Sequence, residues 1–311
     1  MRIVNKKKLI KRIFLIIVVL LIILIGLCTI LKTKENNNNN NVITNVEDNT
    51  LKEERNEQQE EKTESKKIDF LANVTTPTYK KNEKNIKIPV LIYHCFRTPI
   101  PYEQDIYKLF SSEENFEENV STMLNDGYTF ITLENLYEYM QGNIGLPEKV
   151  AIITMDDGQV GCYTDAFPVL KKYNIPATIF IVNTLVGTED YFSWDEAKEM
   201  YDTGLVKIHC HGYKHSAYNH DSKETVVSDY TKSHQEIEEH LGEKQMKIMA
   251  YPAGESSDDT IKWLKEIGFE IQVQTRYGTV ETTNSLNLTN IGRIRAERAT
   301  GKQLLNIIKN S

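Results

Sequence analysis

An apolar segment that ends in two carboxylates and a glycine constrains the fold of this chain more than any other feature. Residues 151–158 read Ala-Ile-Ile-Thr-Met-Asp-Asp-Gly, with no alternation of polar and apolar side chains before the acidic pair. Such a run is typical of a strand buried on both faces, in a parallel sheet covered by helices. Because sites in these sheets lie at the carboxyl ends of strands and adjacent carboxylates repel, we predict a metal ion beside Asp156 and Asp157. An Asp-Gly turn without a metal is the alternative.

Eight apolar stretches rich in β-branched or aromatic residues are predicted to be strands. They are Ile88–Tyr93, Thr129–Thr132, Lys149–Met155, Ala177–Val182, Val206–Cys210, Lys247–Tyr251, Glu270–Thr275 and Ile291–Ile294. Helical patterns lie between most of them, and the clearest are Ser112–Asn125, Asp165–Tyr173, Trp194–Tyr201 and Asp258–Ile267. This alternation over residues 86–311 predicts one α/β domain built on a parallel barrel or a doubly wound sheet.

The amino-terminal segment has the features of a membrane anchor. Residues 1–12 carry six basic and no acidic side chains, and residues 13–31 contain no charged residue. As a helix, residues 13–31 would extend about 28 Å, close to the hydrocarbon thickness of a bilayer. We predict a cytoplasmic tail at 1–12, a transmembrane signal-anchor helix at 13–31, and an extracytoplasmic remainder. A cleaved signal peptide is the competing interpretation.

Residues 32–85 have the composition of a disordered polar linker, with an asparagine run at 36–41 and a Glu/Lys/Gln-rich stretch after it. Without the six basic charges of residues 1–12, the formal net charge of the chain changes from −7 to −13. An acidic surface disfavours nucleic acid and anionic wall polymers, whereas it tolerates a neutral or cationic glycan. We therefore predict no nucleic-acid partner.

Four cysteines are present, and Cys28 lies in the predicted membrane span. The others, Cys95, Cys162 and Cys210, are odd in number and form no CxxC pair. We predict that they are small buried hydrophobic residues and that no disulfide framework exists.

A histidine cluster follows another predicted strand and should lie at the same edge of the sheet as the acidic pair. His209, His211 and His215 fall within seven residues, beside Gly212. Two imidazoles and a carboxylate that converge from different strands are typical of a catalytic zinc-type site. His211 could act with His215, four residues away, or with His209 on the same strand face. The pattern alone allows either pair.

These residues resemble the metal-dependent polysaccharide deacetylases, the NodB-homology group of carbohydrate esterase family 4. Residues 154–158, Thr-Met-Asp-Asp-Gly, are similar to the first family motif, and residues 211–215, His-Gly-Tyr-Lys-His, are similar to the second. Residues 250–254, Ala-Tyr-Pro-Ala-Gly, resemble the third motif in a variant without its arginine. Residues 89–94, Pro-Val-Leu-Ile-Tyr-His, resemble the opening strand of the poly-N-acetylglucosamine deacetylase branch.

The resemblance implies a distorted (β/α) barrel of about seven strands, as the catalytic domain at 86–311. It implies that Asp157, His211 and His215 bind one divalent metal ion and that Asp156 is the base. Zinc is the expected ion, and cobalt, nickel or iron would suit the same ligands.

The departures from the family pattern lead to further expectations about the site. No histidine follows His240, so the late general acid of many members is missing, and the resemblance points to His94 as its replacement. Arg293 is the candidate for the missing base-orienting arginine. Tyr251, Pro252 and Trp194 are candidate substrate contacts, although a buried aromatic is the commoner role for such rings.

The expected function is removal of N-acetyl groups from N-acetylglucosamine units of a cell-wall or surface polysaccharide. In this chemistry the metal polarises the amide carbonyl, Asp156 takes a proton from water, and His94 protonates the departing amine. An O-acetyl polysaccharide esterase with the same site is one alternative. A catalytically inactive glycan-binding homologue is another, because the late histidine and the third-motif arginine are absent and Gly212 stands where the family usually has Ser or Thr.

Overall fold

The computed structural model describes residues 67–97, 109–217, 220–277 and 281–311. The predicted tail at 1–12, the predicted span at 13–31 and residues 32–66 of the predicted linker lie outside these ranges. Among the helices within them, none combines the length and the apolar character needed to cross a bilayer.

Seven parallel strands close into a barrel in the described part of the chain. They are β1 Val90–Tyr93, β2 Val150–Met155, β3 Ala177–Ile181, β4 Val206–Cys210, β5 Ile248–Ala250, β6 Ile271–Tyr277 and β7 Ile291–Arg295. Neighbours in the chain are neighbours in the barrel, and β1 closes it by pairing with both β2 and β7. A two-residue strand, Thr129–Phe130, pairs with the beginning of β2. Of the two predicted architectures, the closed barrel is therefore confirmed.

Seven α-helices lie in the described ranges. They are α1 Glu113–Asn125, α2 Leu133–Met140, α3 Phe167–Tyr173, α4 Trp194–Asp202, α5 Lys223–Leu241, α6 Asp258–Glu266 and α7 Lys302–Asn310. The four predicted helices are confirmed as α1, α3, α4 and α6, and the Ser112 side chain caps α1 by accepting a hydrogen bond from the Asn115 N–H. The predicted start of α3 differs, because a π-helical turn at Cys162–Ala166 precedes it.

The folded domain begins earlier than the predicted boundary at Ile86. Ile68 and Phe70 pack against the hydrophobic core, and Thr78–Tyr79 forms an antiparallel pair with Leu146–Pro147. The prediction of a linker up to residue 85 is thus wrong for residues 67–85. Ile68 and Phe70 bury apolar surface, and this burial offsets the entropy that is lost when the segment becomes ordered.

Four further short strands of the described residues form two pairs outside the barrel. Lys87–Ile88 pairs antiparallel with Glu281–Thr282, and Cys95–Phe96 pairs in parallel with Phe110–Ser111. Cys95, Cys162 and Cys210 are buried, as predicted, and no disulfide joins these three residues.

Alternate residues of strand β2 belong to different hydrophobic clusters. In β2, Ile152 packs with Phe180 and with residues of α2, whereas Ile153 and Met155 pack with residues of the surrounding helices. Each fully buried side chain of this size contributes about 1.5–3 kcal/mol to stability. Toward the carboxyl end of β2, the side of the strand that carries Ile152 becomes polar, because Thr154 and then Asp156 occupy the corresponding positions. The polar end of the barrel is where the candidate site lies.

Candidate active site

Three predicted metal ligands converge at the carboxyl ends of β2 and β4. One ligand atom from each of Asp157, His211 and His215 lies within 4.8 Å of the others. The His211 Nε2 atom is 3.4 Å from Asp157 Oδ1, and the His215 Nε2 atom is 3.3 Å from the same oxygen. We call these three residues the ligand triad. Two imidazole nitrogens and one carboxylate oxygen are a donor set that fits a divalent transition metal with an open position.

Unusual backbone conformations direct the side chains of the triad. Asp157 and His215 have φ values of 72° and 56°, and Gly158 and Gly212 also lie in the left-handed region. A residue other than glycine pays roughly 1–3 kcal/mol for such a conformation, and strain of this kind is concentrated at functional sites. The sharp turn at Asp157 separates the directions of two adjacent carboxylates, so that Asp157 and Asp156 face different partners.

Contacts outside the triad fix the orientation of His211 and the loop that follows it. The His211 Nδ1 atom lies 3.0 Å from the Ala250 carbonyl oxygen. A proton on Nδ1 is donated to that carbonyl, which leaves the Nε2 lone pair directed at the triad, as in many metal-binding histidines. Asp229, on α5, accepts a 2.6 Å hydrogen bond from the Tyr213 N–H, between the two triad histidines. Asp229 could not be recognised in the sequence, because it lies in a charged amphipathic helix with no local motif.

His209 is not part of the triad. Its side chain is buried below the site, where its Nε2 atom lies 3.0 Å from Glu134 Oε1 on α2. The geometry therefore favours His211 with His215 over His211 with His209, which were the two pairs that the spacing allowed.

Asp156 is held by a buried arginine. Arg293 donates from Nη1 to Asp156 Oδ1 at 2.7 Å and from Nη2 to Asp156 Oδ2 at 2.6 Å. It also donates to Thr154 Oγ1 and, from Nε, to the Gln274 carbonyl oxygen. Burial opposes a charge on Asp156, but the Arg293 guanidinium outweighs it and holds the pKa of that carboxyl below its usual value. Arg293 lies where the base-orienting arginine was expected.

His94 lies at the end of β1, on the Asp156 side of the triad. Its Nε2 atom is 4.0 Å from Asp156 Oδ2, and its Nδ1 atom is 3.3 Å from Glu297 Oε1. His94 is not a member of the ligand triad. Glu297 was not among the sequence candidates, because it lies three residues after the last predicted strand and meets His94 only through closure of the barrel.

The three proposed substrate contacts have different surroundings. Tyr251 is only 3% exposed and its hydroxyl donates to Gln272 Oε1, which argues against stacking of its ring on a sugar. Pro252 is buried beside Gly212, where a built Cβ would lie 3.4 Å from Pro252 Cγ. The Trp194 ring stacks on His240, with centroids 4.1 Å apart and planes 3° apart. Its stacking partner is therefore a helix side chain of this protein.

Comparison with known proteins finds relatives of this chain in one family. The profile of the polysaccharide deacetylase family matches residues 143–272. The poly-β-1,6-N-acetyl-D-glucosamine N-deacetylase of Staphylococcus aureus strain MRSA252 is 32% identical over 217 residues, which cover 62% of this chain and 74% of the relative.

Two solved structures have the same fold. The Streptococcus pyogenes deacetylase PplD, in complex with acetate, is 25% identical with a TM-score of 0.66, over 72% of this chain and 99% of that one. IcaB from Ammonifex degensii is 26% identical with a TM-score of 0.62, over 72% of this chain and 96% of that one. The chain thus belongs to the polysaccharide deacetylases, the NodB-type group of carbohydrate esterase family 4, and is a hydrolase of carbon–nitrogen bonds other than peptide bonds.

Proposed function

We propose that this polysaccharide deacetylase removes acetyl groups from N-acetylglucosamine units of a cell-wall or surface glycan, with one divalent metal ion, Asp156 as base and His94 as acid. The observation that carries the proposal is the meeting of the ligand triad, the Asp156–Arg293 pair and the His94 imidazole at one end of the barrel. The name of the S. aureus relative supports a poly-N-acetylglucosamine substrate. The formal acidity of the chain agrees with a neutral or partly cationic polymer.

Asp157, His211 and His215 are the residues that would hold the ion. Zinc suits their donor set best, and cobalt, nickel or iron accept the same ligands. A bound divalent ion supplies a Lewis acid that polarises the acetyl carbonyl and makes water a stronger acid.

Asp156 takes the proton of the attacking water. Arg293 engages both of its carboxylate oxygens, so the group is ionised and cannot rotate freely. The distance of 3.8 Å between Asp156 Oδ2 and His211 Nε2, next to the triad, supports this role. A carboxylate in this position is a general base of fixed orientation.

His94 donates its Nε2 proton to the amide nitrogen while the carbon–nitrogen bond of the tetrahedral intermediate breaks. Acetate leaves with the oxygen of water, and the sugar is left with a free amine. Without that proton the intermediate would return to the amide, because an amide anion is a very poor leaving group. The position of the His94 Nε2 atom, facing Asp156 from outside the triad, supports this role.

Acetate release from an N-acetylglucosamine oligomer tests the proposal. Asp156→Asn and His211→Ala should each abolish release while the protein stays folded, and full activity in both variants would contradict the mechanism. Acetylated xylan serves as a parallel substrate, and preferential hydrolysis of it would assign an O-acetyl esterase instead. Tight glycan binding without acetate release would assign a binding module.

We also propose that residues 13–31 anchor the enzyme in the cell membrane, with the catalytic domain on the extracytoplasmic side. The uncharged run and the basic flank at 1–12 support this topology. Fractionation of cells that express the full chain or a chain without residues 1–31 tests it. Recovery of both forms in the soluble fraction would contradict the proposal.

A further inference from the structure

The two histidines of the ligand triad are held in different ways. His211 directly follows β4, where its N–H donates to the Ile181 carbonyl oxygen at 2.9 Å and its Nδ1 atom lies 3.0 Å from the Ala250 carbonyl oxygen. His215 lies four residues further along the chain, and its side chain is 39% exposed. A metal site binds its ion tightly when every ligand is already oriented, so the conformation of residues 212–215 decides how well His215 can serve.

The loop between these histidines has no side chain suited to holding its own backbone. It reads Gly212-Tyr213-Lys214, whereas the short side chains that accept from nearby backbone N–H groups are those of Ser, Thr, Asn and Asp. The backbone is left-handed at Gly212 and again at His215, where this conformation is unfavourable. Such a loop keeps its shape only if contacts from other elements outweigh that cost.

Helix α5 supplies one of these contacts through Asp229. The Asp229 Oδ2 atom accepts a 2.6 Å hydrogen bond from the Tyr213 N–H, and it lies 3.4 Å from a Cβ built on Gly212. On the other side of the same residue, the Tyr213 carbonyl oxygen accepts from the Thr184 N–H at 3.1 Å, in the turn Asn183–Leu185 after β3. Both polar groups of the Tyr213 main chain are therefore fixed by other elements.

A buried hydrogen-bonded pair joins the two elements that make these contacts. Ser233 lies four residues after Asp229, on the same face of α5. Its hydroxyl donates to Asn183 Oδ1 at 2.6 Å, and Asn183 donates from Nδ2 to the Ser233 carbonyl oxygen at 3.2 Å. Asn183 is 5% exposed and Ser233 is fully buried. This pair fixes Asp229 relative to the turn that holds the other side of Tyr213.

We propose that Asp229 is a positioning residue for metal binding: through the Tyr213 N–H it fixes the loop between the two triad histidines and holds His215 beside Asp157. The inference rests on the proposed metal site. Asp229 is not a member of the triad, so it acts through the loop and not as a ligand. An ionised carboxylate suits this role, because its hydrogen bonds to backbone N–H groups are shorter and stronger than those of neutral acceptors.

Asp229→Ala removes the acceptor and should weaken zinc binding by about 10- to 100-fold, the usual effect of losing a contact that orients a ligand. Asp229→Asn keeps an oxygen that can accept from the Tyr213 N–H, so its affinity should stay within about threefold of wild type. Competition between the metal-free full-length protein and a coloured chelator measures the affinity without reference to activity. If Asp229→Ala does not fold, Asp229→Ser takes its place with the same loss expected, because its side chain is too short to replace the carboxylate.

Glu238→Ala is the matched control. Glu238 lies on the same helix and accepts a 2.9 Å hydrogen bond from the Gln245 N–H, in the loop after α5. The two alanine variants thus remove the same kind of contact, but Glu238 is joined to a loop without a triad residue. Glu238→Ala should lower thermal stability and leave zinc affinity within about twofold of wild type. Thermal unfolding of the metal-free proteins compares the stabilities.

The double variant with His215→Ala shows whether Asp229 acts through that ligand. Once His215 is absent, Asp229→Ala should weaken zinc binding by no more than about twofold further, because the effects of residues that act as a unit are not additive. A general loss of structure would instead add to the loss of the ligand.

The outcomes separate this inference from the function on which it rests. If His211→Ala binds zinc as tightly as wild type, the triad is not the metal site, and the proposed mechanism and the inference fail together. If His211→Ala is impaired but Asp229→Ala keeps wild-type affinity, only the inference is overturned. Equal losses in Asp229→Ala and Glu238→Ala, or an additive loss in the double variant, would also overturn it.

Discussion

Arg293 and Asp156 form a buried ion pair at the candidate site. Both side chains are almost completely buried, and they meet through two parallel hydrogen bonds. A buried ion pair of this kind contributes little over an apolar pair, but the removal of one partner leaves an uncompensated buried charge. The consequence reaches both stability and chemistry, because Asp156 is the proposed base.

Arg293→Met should therefore destabilise the protein by about 3–5 kcal/mol and reduce deacetylation by more than about a hundredfold. Arg293→Lys is the matched variant, because it keeps the positive charge but cannot form the two parallel hydrogen bonds. It should therefore lower the free energy of unfolding only slightly but still clearly reduce deacetylation. Urea unfolding and acetate release measure the two effects. Wild-type stability in Arg293→Met would show that the pair does not hold Asp156 as described.

Gly212 lies between two proposed metal ligands, His211 and His215, and has a left-handed backbone conformation. Its φ is +77°, and a Cβ built on it would lie 3.4 Å from Asp229 Oδ2 and from Pro252 Cγ. Gly242, at the end of α5, has a nearly identical φ of +75° with nothing within 4 Å of a built Cβ. The two glycines thus differ in surroundings and not in backbone strain.

Gly212→Ala and Gly242→Ala should each lower the free energy of unfolding by about 1–2 kcal/mol, because an L side chain is disfavoured at positive φ. Only Gly212→Ala should weaken metal binding, since it lies between the triad residues His211 and His215. Competition with a coloured chelator measures the affinity. Equal metal affinity in both variants would show that the loop conformation is not what positions the histidines.

At the scale of elements, helix α2 is tied to the barrel through Glu134 and His209. Glu134 is 25% exposed and His209 is nearly inaccessible. Burial opposes a charge on Glu134, but the His209 hydrogen bond and the charges of His209 and Lys207 hold its pKa at about 2, against an ordinary 4.5. A lowered carboxyl pKa stabilises the fold above the unfolded-state value, and this contribution disappears as the pH falls toward the folded-state value.

Between pH 5 and pH 3, Glu134 should account for a loss of about 2 kcal/mol in the free energy of unfolding. In Glu134→Gln no carboxyl titrates at this position, so the decrease over the same interval should be smaller by that amount. Urea unfolding at the two pH values measures both proteins. Parallel decreases in wild type and variant would show that the Glu134–His209 contact adds no pH-dependent stability.

Individual elements show what the sequence could predict. The apolar strand before Asp156 was recognisable because it is buried on both faces, and every barrel strand was anticipated within a few residues. Helices α2 and α5 were not assigned individually: α2 is short, and α5 buries Ser233 and His234 among its apolar residues, which weakens its periodicity. Local patterns thus specified the strands better than the helices that cover them.

At the scale of the whole molecule, barrel closure decides which distant residues meet. Because β1 pairs with β7, His94 near the beginning of the domain lies beside Glu297 near its end. The acidic pair and the second histidine motif could be recognised as local patterns. Glu297 and Asp229 could not, because their contacts depend on the closed barrel and on helix packing. The same closure brings Arg293 to Asp156, which the sequence indicated only through resemblance to a family.

The most direct test of the central claim is metal reconstitution of the chelator-treated full-length protein, with acetate release from an N-acetylglucosamine oligomer as the readout. Activity should return in proportion to added zinc or cobalt and reach its maximum at about one ion per chain. His215→Ala should neither bind the ion tightly nor recover activity, whereas His209→Gln should do both, because His209 lies outside the triad. Full activity of the metal-free protein, or equal metal binding by His215→Ala and wild type, would contradict the account.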